Sequence, residues 1–471
     1  MRPLEILFLL PNLLRFGWWL LVANRRPRWL NWLPGLAALL MLAQVLIEGY
    51  RWQLVPAYGL TVLVLALTLL RQARPRPTSR RITTIALGVL GSLLLIIVAL
   101  PPLLLPIPQD LPLTGPYRVG TLTVHWVDTS RTEIYSGRAG EPRELMVQIW
   151  YPAEPTATAQ VAPWLDNVAV LGPALGARLS LPSFFLDHLK YVNTQAYLNA
   201  PVSPAAARYP VLLFSHGWGG FRAQNTHQAE QLASHGYIIA AIDHTYDAAA
   251  TVFPDGRVAL HNDAILTAST TPIELQAAAV RLVQQRAGDL AFVLDQLTQL
   301  NAADPAGRFT GRLDLSRVGV FGHSMGGGTT IEFCAHDVRC QAVLTMDAYL
   351  PPVSADVYVN GLRQPFLSMF SERWPTAENN RLFAQLFQSP GGSAYELRIA
   401  GTAHYDFSDI PSLTPLAPAM GLKGPLSADR VTRIIDDYSL AFFDQVFKSQ
   451  LSPLLAAPSA AYPEVQFTAW P

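Results

Sequence analysis

The chain has 471 residues, more than one average domain and enough for a membrane region beside a large globular one. Basic and acidic residues balance at 34 each, so no global field exists to draw in nucleic acid or an acidic partner. Only 14% of residues are charged and the mean hydropathy is +0.22, values set mostly by an apolar first hundred residues.

The apolar runs come first. Segments 30–47, 54–70 and 82–107 are uncharged, and each is near or above the ~17–20 residues a helix needs to cross hydrocarbon. Pro34, Pro56 and Pro101 lie near their ends, and Trp29, Trp32 and Trp52 flank them as interfacial aromatics do. A fourth run, 4–22, carries Pro11 and Arg15, and can either span or lie in the interface with Arg15 snorkelling. Arg25, Arg26 and Arg28 follow it, and Arg71, Arg74, Arg76, Arg80 and Arg81 separate the last two runs. The intervening loop holds only Glu48 and Arg51. The positive-inside rule then makes the Arg-rich loops cytoplasmic and places everything after Pro108 on the extracytoplasmic side. Residues 1–108 are expected to be a transmembrane helical region of three to four spans.

The pattern changes after the Pro-rich stretch 101–116. Short apolar runs at 145–151, 211–215, 237–242, 318–321, 342–346, 365–370 and 395–399 suit buried strands. Helical patterns occupy 226–234, 273–300 and 427–448, the last with Ser427 as N-cap. Strand alternating with helix predicts an α/β domain over 109–471: a mostly parallel sheet with helices on both faces and ligands at the strand carboxyl ends. Residues 153–209, rich in Ala, Pro and Leu, read as an inserted helical region or a cap over the site. Cys334 and Cys340 form no metal-ligand pattern; they are either two buried thiols or a disulfide, and export favours the disulfide.

Gly322-His323-Ser324-Met325-Gly326 fits GxSxG, in which a strained strand-to-helix turn exposes a serine at a helix N-terminus. Here it follows an apolar run and opens a helical one. A serine hydroxyl needs a base, and the base needs an orienting acid. Asp347 and His404 follow at strand ends in the order this chemistry uses, with Glu372 as the rival acid. The oxyanion needs two N–H donors: Met325, after the nucleophile, and Trp218 in the loop Ser215-His216-Gly217-Trp218-Gly219-Gly220. His216 reads as structural. No phosphate loop, dinucleotide fingerprint or metal-ligand cluster is present in the sequence, so no cofactor or metal is expected.

The run 209–248, the GHSMGG at 322–327, Met346-Asp347-Ala348 and Thr402-Ala403-His404 resemble the platelet-activating-factor acetylhydrolases of the plasma and intracellular type II kind. The resemblance runs from about Pro116 to the last helix. It implies an α/β-hydrolase fold and calcium-independent hydrolysis of short or oxidised acyl chains at the phospholipid sn-2 position. It also implies Ser324, Asp347 and His404 as the triad, and the Trp218 and Met325 amides as the oxyanion hole. The multi-span N-terminal region departs from the animal enzymes. The expected partners are an ester or phospholipid substrate and membrane lipids, with no nucleic acid. The alternatives are a general short-chain esterase, polyester hydrolase or peptidase, and a non-catalytic membrane-anchored binding domain. Transport is disfavoured, because the apolar segments carry almost no polar groups apart from Arg15.

Overall fold

The computed structural model describes residues 1–22, 27–73, 81–374, 376–388 and 391–470. The chain divides into two compact units, Met1–Pro108 with Leu413–Leu416, and Gln109–Ser412 with Ala417–Pro471.

The first unit is helical. It comprises α1 (Pro3–Leu7), α2 (Leu10–Leu21), α3 (Leu33–Ile47), α4 (Val55–Ala73) and α5 (Arg81–Leu104). Among the described residues, four stretches are long and apolar enough to cross a membrane: Pro3–Leu21, Arg28–Ile47, Trp52–Ala73 and Arg81–Leu104. The first is broken between α1 and α2, just before Pro11, whose ring removes a backbone donor. Leucines such as Leu39 and Leu46 face outward, while polar groups turn inward. Asn12 donates to Thr61 at 3.0 Å, and buried Arg51 donates to both Glu5 oxygens at 2.9 and 3.0 Å. Arg15 is only 4% exposed and lies over the Trp19 ring, so it faces the bundle instead of snorkelling outward. Arg25, Arg26, Arg74, Arg76 and Arg80, on which the orientation rests, lie outside the described residues.

The second unit begins with a long antiparallel pair, β1 (Arg118–Thr132) and β2 (Pro142–Ala153). There follow β3 (Val161–Pro163), α6 (Val168–Arg178), β4 (Asn193–Leu198), β5 (Tyr209–Ser215), α7 (Thr226–Ser234), β6 (Ile238–Asp243), β7 (Ala250–Val252), β8 (Val258–Leu260), α8 (Ala264–Thr267) and α9 (Pro272–Ala302). The rest comprises β9 (Leu313–His323), α10 (Met325–His336), β10 (Cys340–Met346), α11 (Ala355–Asn360), β11 (Phe366–Ser371), α12 (Ala377–Gln388), β12 (Ala394–Ile399), α13 (Ala428–Lys448) and β13 (Val465–Trp470). The main sheet runs β13-β12-β11-β10-β9-β5-β6-β2-β1-β4-β3. Its centre, from β12 to β6, is parallel.

Apolar side chains of α9, α10 and α12 cover one face, and those of α7 and α13 cover the other. Parallel strands buried on both faces need continuous apolar sequence, which is why VLLFS and AVLTM were readable. β1, β4 and β13 were not read as strands. They are partly exposed and mix Thr, Gln and Asp with apolar residues, so no continuous run marks them. The stretch 153–209 is not wholly helical, because β3 and β4 extend the sheet at its edge and only α6 is a regular α-helix within it. Ser427 occupies the N-cap of α13 with extended backbone, but its side chain makes no capping bond.

Cys334 on α10 and Cys340 at the start of β10 form a disulfide. It ties α10, which begins just after Ser324, to β10, which ends just before Asp347.

Candidate active site

Ser324 sits between β9 and α10 with φ 57° and ψ −121°, a conformation that costs a side-chain-bearing residue about 1–3 kcal/mol. The surroundings enforce it. The Ser324 N–H donates to Met346 O at 2.9 Å, and Ser324 O accepts from the Gly327 and Tyr349 N–H groups. The motif glycines permit the close packing: a Cβ on Gly322 would meet Gly326 O at 2.4 Å, and one on Gly326 would meet Ser215 O at 2.0 Å. The turn is therefore clamped between β10 and the end of β5.

Asp347 follows β10, also at positive φ (44°). Its carboxylate accepts the Ser371 N–H at 2.7 Å, the Ser371 hydroxyl at 2.6 Å and His404 Nδ1–H at 3.1 Å. His404 lies in the short turn after β12, at the same carboxyl edge of the sheet. With Nδ1 carrying the proton toward Asp347, Nε2 is free to act as a base. Burial lowers His404 to about 3, so the ring is neutral at physiological pH. Burial raises Asp347 to about 7, against the opposing Ser371 donors. The His404 ring also stacks on Trp374, with centroids 3.7 Å apart and 17° between planes. Glu372, the rival acid, is exposed and accepts the Gly401 N–H at 2.6 Å, so it serves the loop and leaves His404 to Asp347.

The loop after β5 reaches the same point, since a Cβ on Gly217 would lie 3.4 Å from Ser324 Cβ. The Gly217 N–H goes to Gln224 Oε1 at 3.1 Å, and the Gly219 N–H points to Asp247 Oδ1 at 3.4 Å. Among the described residues no protein group takes up the Trp218 N–H between them. Met325 opens α10, so its N–H belongs to a first helical turn, which has no intrahelical acceptor. Both expected oxyanion donors thus lie on the backbone beside Ser324.

His216 is wholly buried, and burial holds it neutral. Its Nδ1 bonds Gly217 O at 2.7 Å and its Nε2 accepts the His244 N–H at 3.2 Å, so it shapes the loop and stands apart from the triad. Beneath it, buried Arg286 donates to His216 O and pairs with Asp247 at 2.8 Å. His244 links Ser215 Oγ and Asp289 at 2.9 Å each. Arg143 holds Asp289 through two hydrogen bonds, at 3.1 and 2.7 Å. Among the described residues no His, Cys, Asp and Glu cluster has the arrangement of a metal site.

Several supporting residues were not singled out from sequence. Ser371 ends β11 and Asp347 follows β10, and only the parallel pairing of these strands brings the two together. Gln224 and His323 form a bridge. Gln224 Nε2 donates to His323 Nδ1 at 3.1 Å, and His323 Nε2–H donates to His404 O at 3.0 Å. The oxyanion loop, the residue before the nucleophile and the base are thereby connected. Burial lowers His323 to about 3, which keeps it the neutral donor–acceptor this bridge needs.

Three outcomes are expected of a Ser324–His404–Asp347 triad. Activity requires ionised Asp347 and neutral His404, so it falls as pH drops and the pair takes up a proton, near pH 7 if Asp347 takes it first. Ser371→Ala removes a donor that favours the carboxylate, so the acid limb of kcat/KM should move to higher pH by roughly one unit. A pH–rate profile that does not move shows that the hydroxyl does not tune Asp347. His323→Leu should lower kcat by about 10–100-fold with little change in KM, because the bridge positions groups that act in the transition state. His323→Gln, which can donate and accept, should recover part of the loss; equal activity of the Leu variant and the parent removes the bridge from the mechanism.

The family model for platelet-activating factor acetylhydrolase, isoform II, matches residues 109–451. Platelet-activating factor acetylhydrolase of Cavia porcellus is 27% identical over 350 residues, covering 70% of this chain and 76% of that protein. The Gallus gallus protein of the same name is 26% identical over 364 residues, covering 70% and 82%. Among solved structures, a ferulic acid esterase from Streptomyces cinnamoneus superimposes with TM-score 0.64 at 31% identity, covering 77% of this chain and all of that one. The matched region holds the β5 loop, Ser324, Asp347 and His404 together, and the chain belongs to the platelet-activating factor acetylhydrolase isoform II family.

Proposed function

We propose that the chain hydrolyses lipid-like carboxylic esters, with short or oxidised acyl chains at a phospholipid sn-2 position as the preferred class. The observation that carries this reading is the placement of Ser324, the hydrogen-bonded Asp347–His404 pair and the Trp218 and Met325 amides at one carboxyl edge of the sheet. His404 Nε2 takes the Ser324 proton as Oγ attacks the ester carbonyl. The two amides stabilise the resulting oxyanion, and Asp347 stabilises the imidazolium. His404 then protonates the leaving alcohol, and a water activated by the same nitrogen releases the acid.

An apolar cluster beside the nucleophile supports an aliphatic acyl group. Leu282, Val283 and Met325 are buried there, with Trp218, Ile265 and Tyr349 packed against them. Relatives point the same way: a fungal protein from Arthroderma benhamiae, 25% identical over 278 residues, is named a probable 1-alkyl-2-acetylglycerophosphocholine esterase. A general or aromatic esterase is the second reading, favoured by the ferulic acid esterase likeness.

The four apolar helices support membrane insertion, since outward leucines such as Leu39 and Leu46 would be costly in water. The Arg-rich loops and the Cys334–Cys340 disulfide support a catalytic unit on the extracytoplasmic, oxidising side.

In an ester series of graded acyl length, the parent should cleave short chains best, and Ser324→Ala should lose about 10⁴-fold or more in kcat. A folded parent as inert as its Ser324→Ala form overturns the enzyme reading, while a preference for aromatic acyl groups selects the second one. Denatured extracts of living cells should show Cys334 and Cys340 blocked to alkylation until reduced. Free thiols at that step overturn the extracytoplasmic placement.

A further inference from the structure

The loop that carries the Trp218 amide meets a cation at its next residue, Gly219. A Cβ on Gly219, where φ is +66°, would lie 2.7–2.9 Å from three guanidinium atoms of Arg178, the last residue of α6. Gly217, two positions earlier, packs against Ser324. Two residues of extended chain span at most about 7 Å, so the guanidinium and the nucleophile flank one short stretch of backbone. Arg178 is 30% exposed, so solute can reach it.

Its protein partner holds it loosely. Arg178 Nη1 donates to Asp263 at 2.6 Å, but the Asp263 side chain is 66% exposed. Asp263 also meets His261 Nε2 at 3.2 Å, and the His261 ring packs edge-on against Trp218 with centroids 4.5 Å apart. An exposed pair of this kind contributes little and is readily exchanged for another anion. Arg286 and Arg143, beneath the loop, lack this freedom: both are wholly buried and committed to Asp247, Asp289 and Glu133.

We propose that Arg178 forms a subsite for the phosphodiester anion of the substrate, with Asp263 as the group the phosphate displaces. The proposal rests on the ester-hydrolase reading above and names the class of ester: one with a phosphate close to the scissile acyl group. In a glycerophospholipid only a few bonds separate the sn-2 ester from the phosphate. An ester carbonyl at Ser324, beside Gly217, therefore brings the phosphate within reach of a guanidinium beside Gly219. The apolar cluster of Leu282, Val283 and Trp218 takes the acyl side. Arginine suits the role because its planar fork matches two phosphate oxygens at once.

The test uses the full-length chain and two soluble substrates with the same short acyl chains, a phosphatidylcholine and the diacylglycerol that lacks the phosphocholine group. The readout is the ratio of kcat/KM on the phospholipid to that on the diacylglycerol. Arg178→Gln should lower this ratio by about five- to tenfold, mainly through KM for the phospholipid, and salt should reduce the parent's ratio. Asp263→Asn should raise the ratio, because it removes the competing anion. A purely structural role for Arg178 would lower both activities together and leave the ratio fixed, and that result overturns the subsite. A parent that cleaves the diacylglycerol and ignores the phospholipid also overturns it, with the esterase function intact. A parent inert on both overturns the function and the subsite together.

Discussion

The strained turn at Ser324 is the constraint on which the rest of the site depends. Its backbone cannot relax, because the motif glycines bring α10 against the carbonyl ends of β5. The same packing fixes three things at once. It exposes the serine, places the Met325 amide at a helix start, and brings the Gly217–Trp218 loop beside the nucleophile. Any side chain at Gly326 would separate these layers. The cost of the strain is met by the surrounding sheet, whose strands β5, β6 and β11 are wholly buried.

Around this turn the polar groups form connected sets. Asp347 is satisfied by Ser371 and His404, and the backbone of His404 is joined through His323 and Gln224 to the oxyanion loop. Beneath the loop, Arg286, Asp247, His244, Asp289 and Arg143 bury charge deep in the domain. Such groups are tolerable only as partners, since an unpaired buried charge costs several kcal/mol. Their effect on chemistry is geometric: donors that are held in place before the reaction need not reorganise during it. The catalytic edge combines this rigid polar floor with an apolar wall and the more exposed Arg178–Asp263 pair.

The two units answer to different solvents under the proposed function. The helical unit turns leucine outward and polar groups inward, with Glu5 and Arg51 fully buried against each other. The second unit closes apolar cores over both faces of its sheet, and a disulfide joins α10 to β10. A lipid ester would meet an enzyme already held at its surface, where local concentration offsets weak affinity for a single molecule.

The sequence by itself determined the elements whose signal is local. The buried strands β5, β6, β10 and β12 were legible as continuous apolar runs, and α7 and α9 as amphipathic ones. The strand–helix turn at Ser324 was legible from GxSxG in its context, and the placement of Asp347 and His404 at strand ends from the apolar runs that precede them. The half-exposed β1, β4 and β13 gave no such run, because strands with one wet face and edge positions accept polar residues. The choice between Asp347 and Glu372 belonged to the tertiary structure, which turns Glu372 to the Gly401 amide and Asp347 to His404. Ser371, Gln224, His323 and Arg178 likewise acquire their roles only when distant segments meet. Periodicity is written by neighbours along the chain, whereas hydrogen-bond partners are set by strand register and loop packing across tens to hundreds of residues, and no local pattern records those distances.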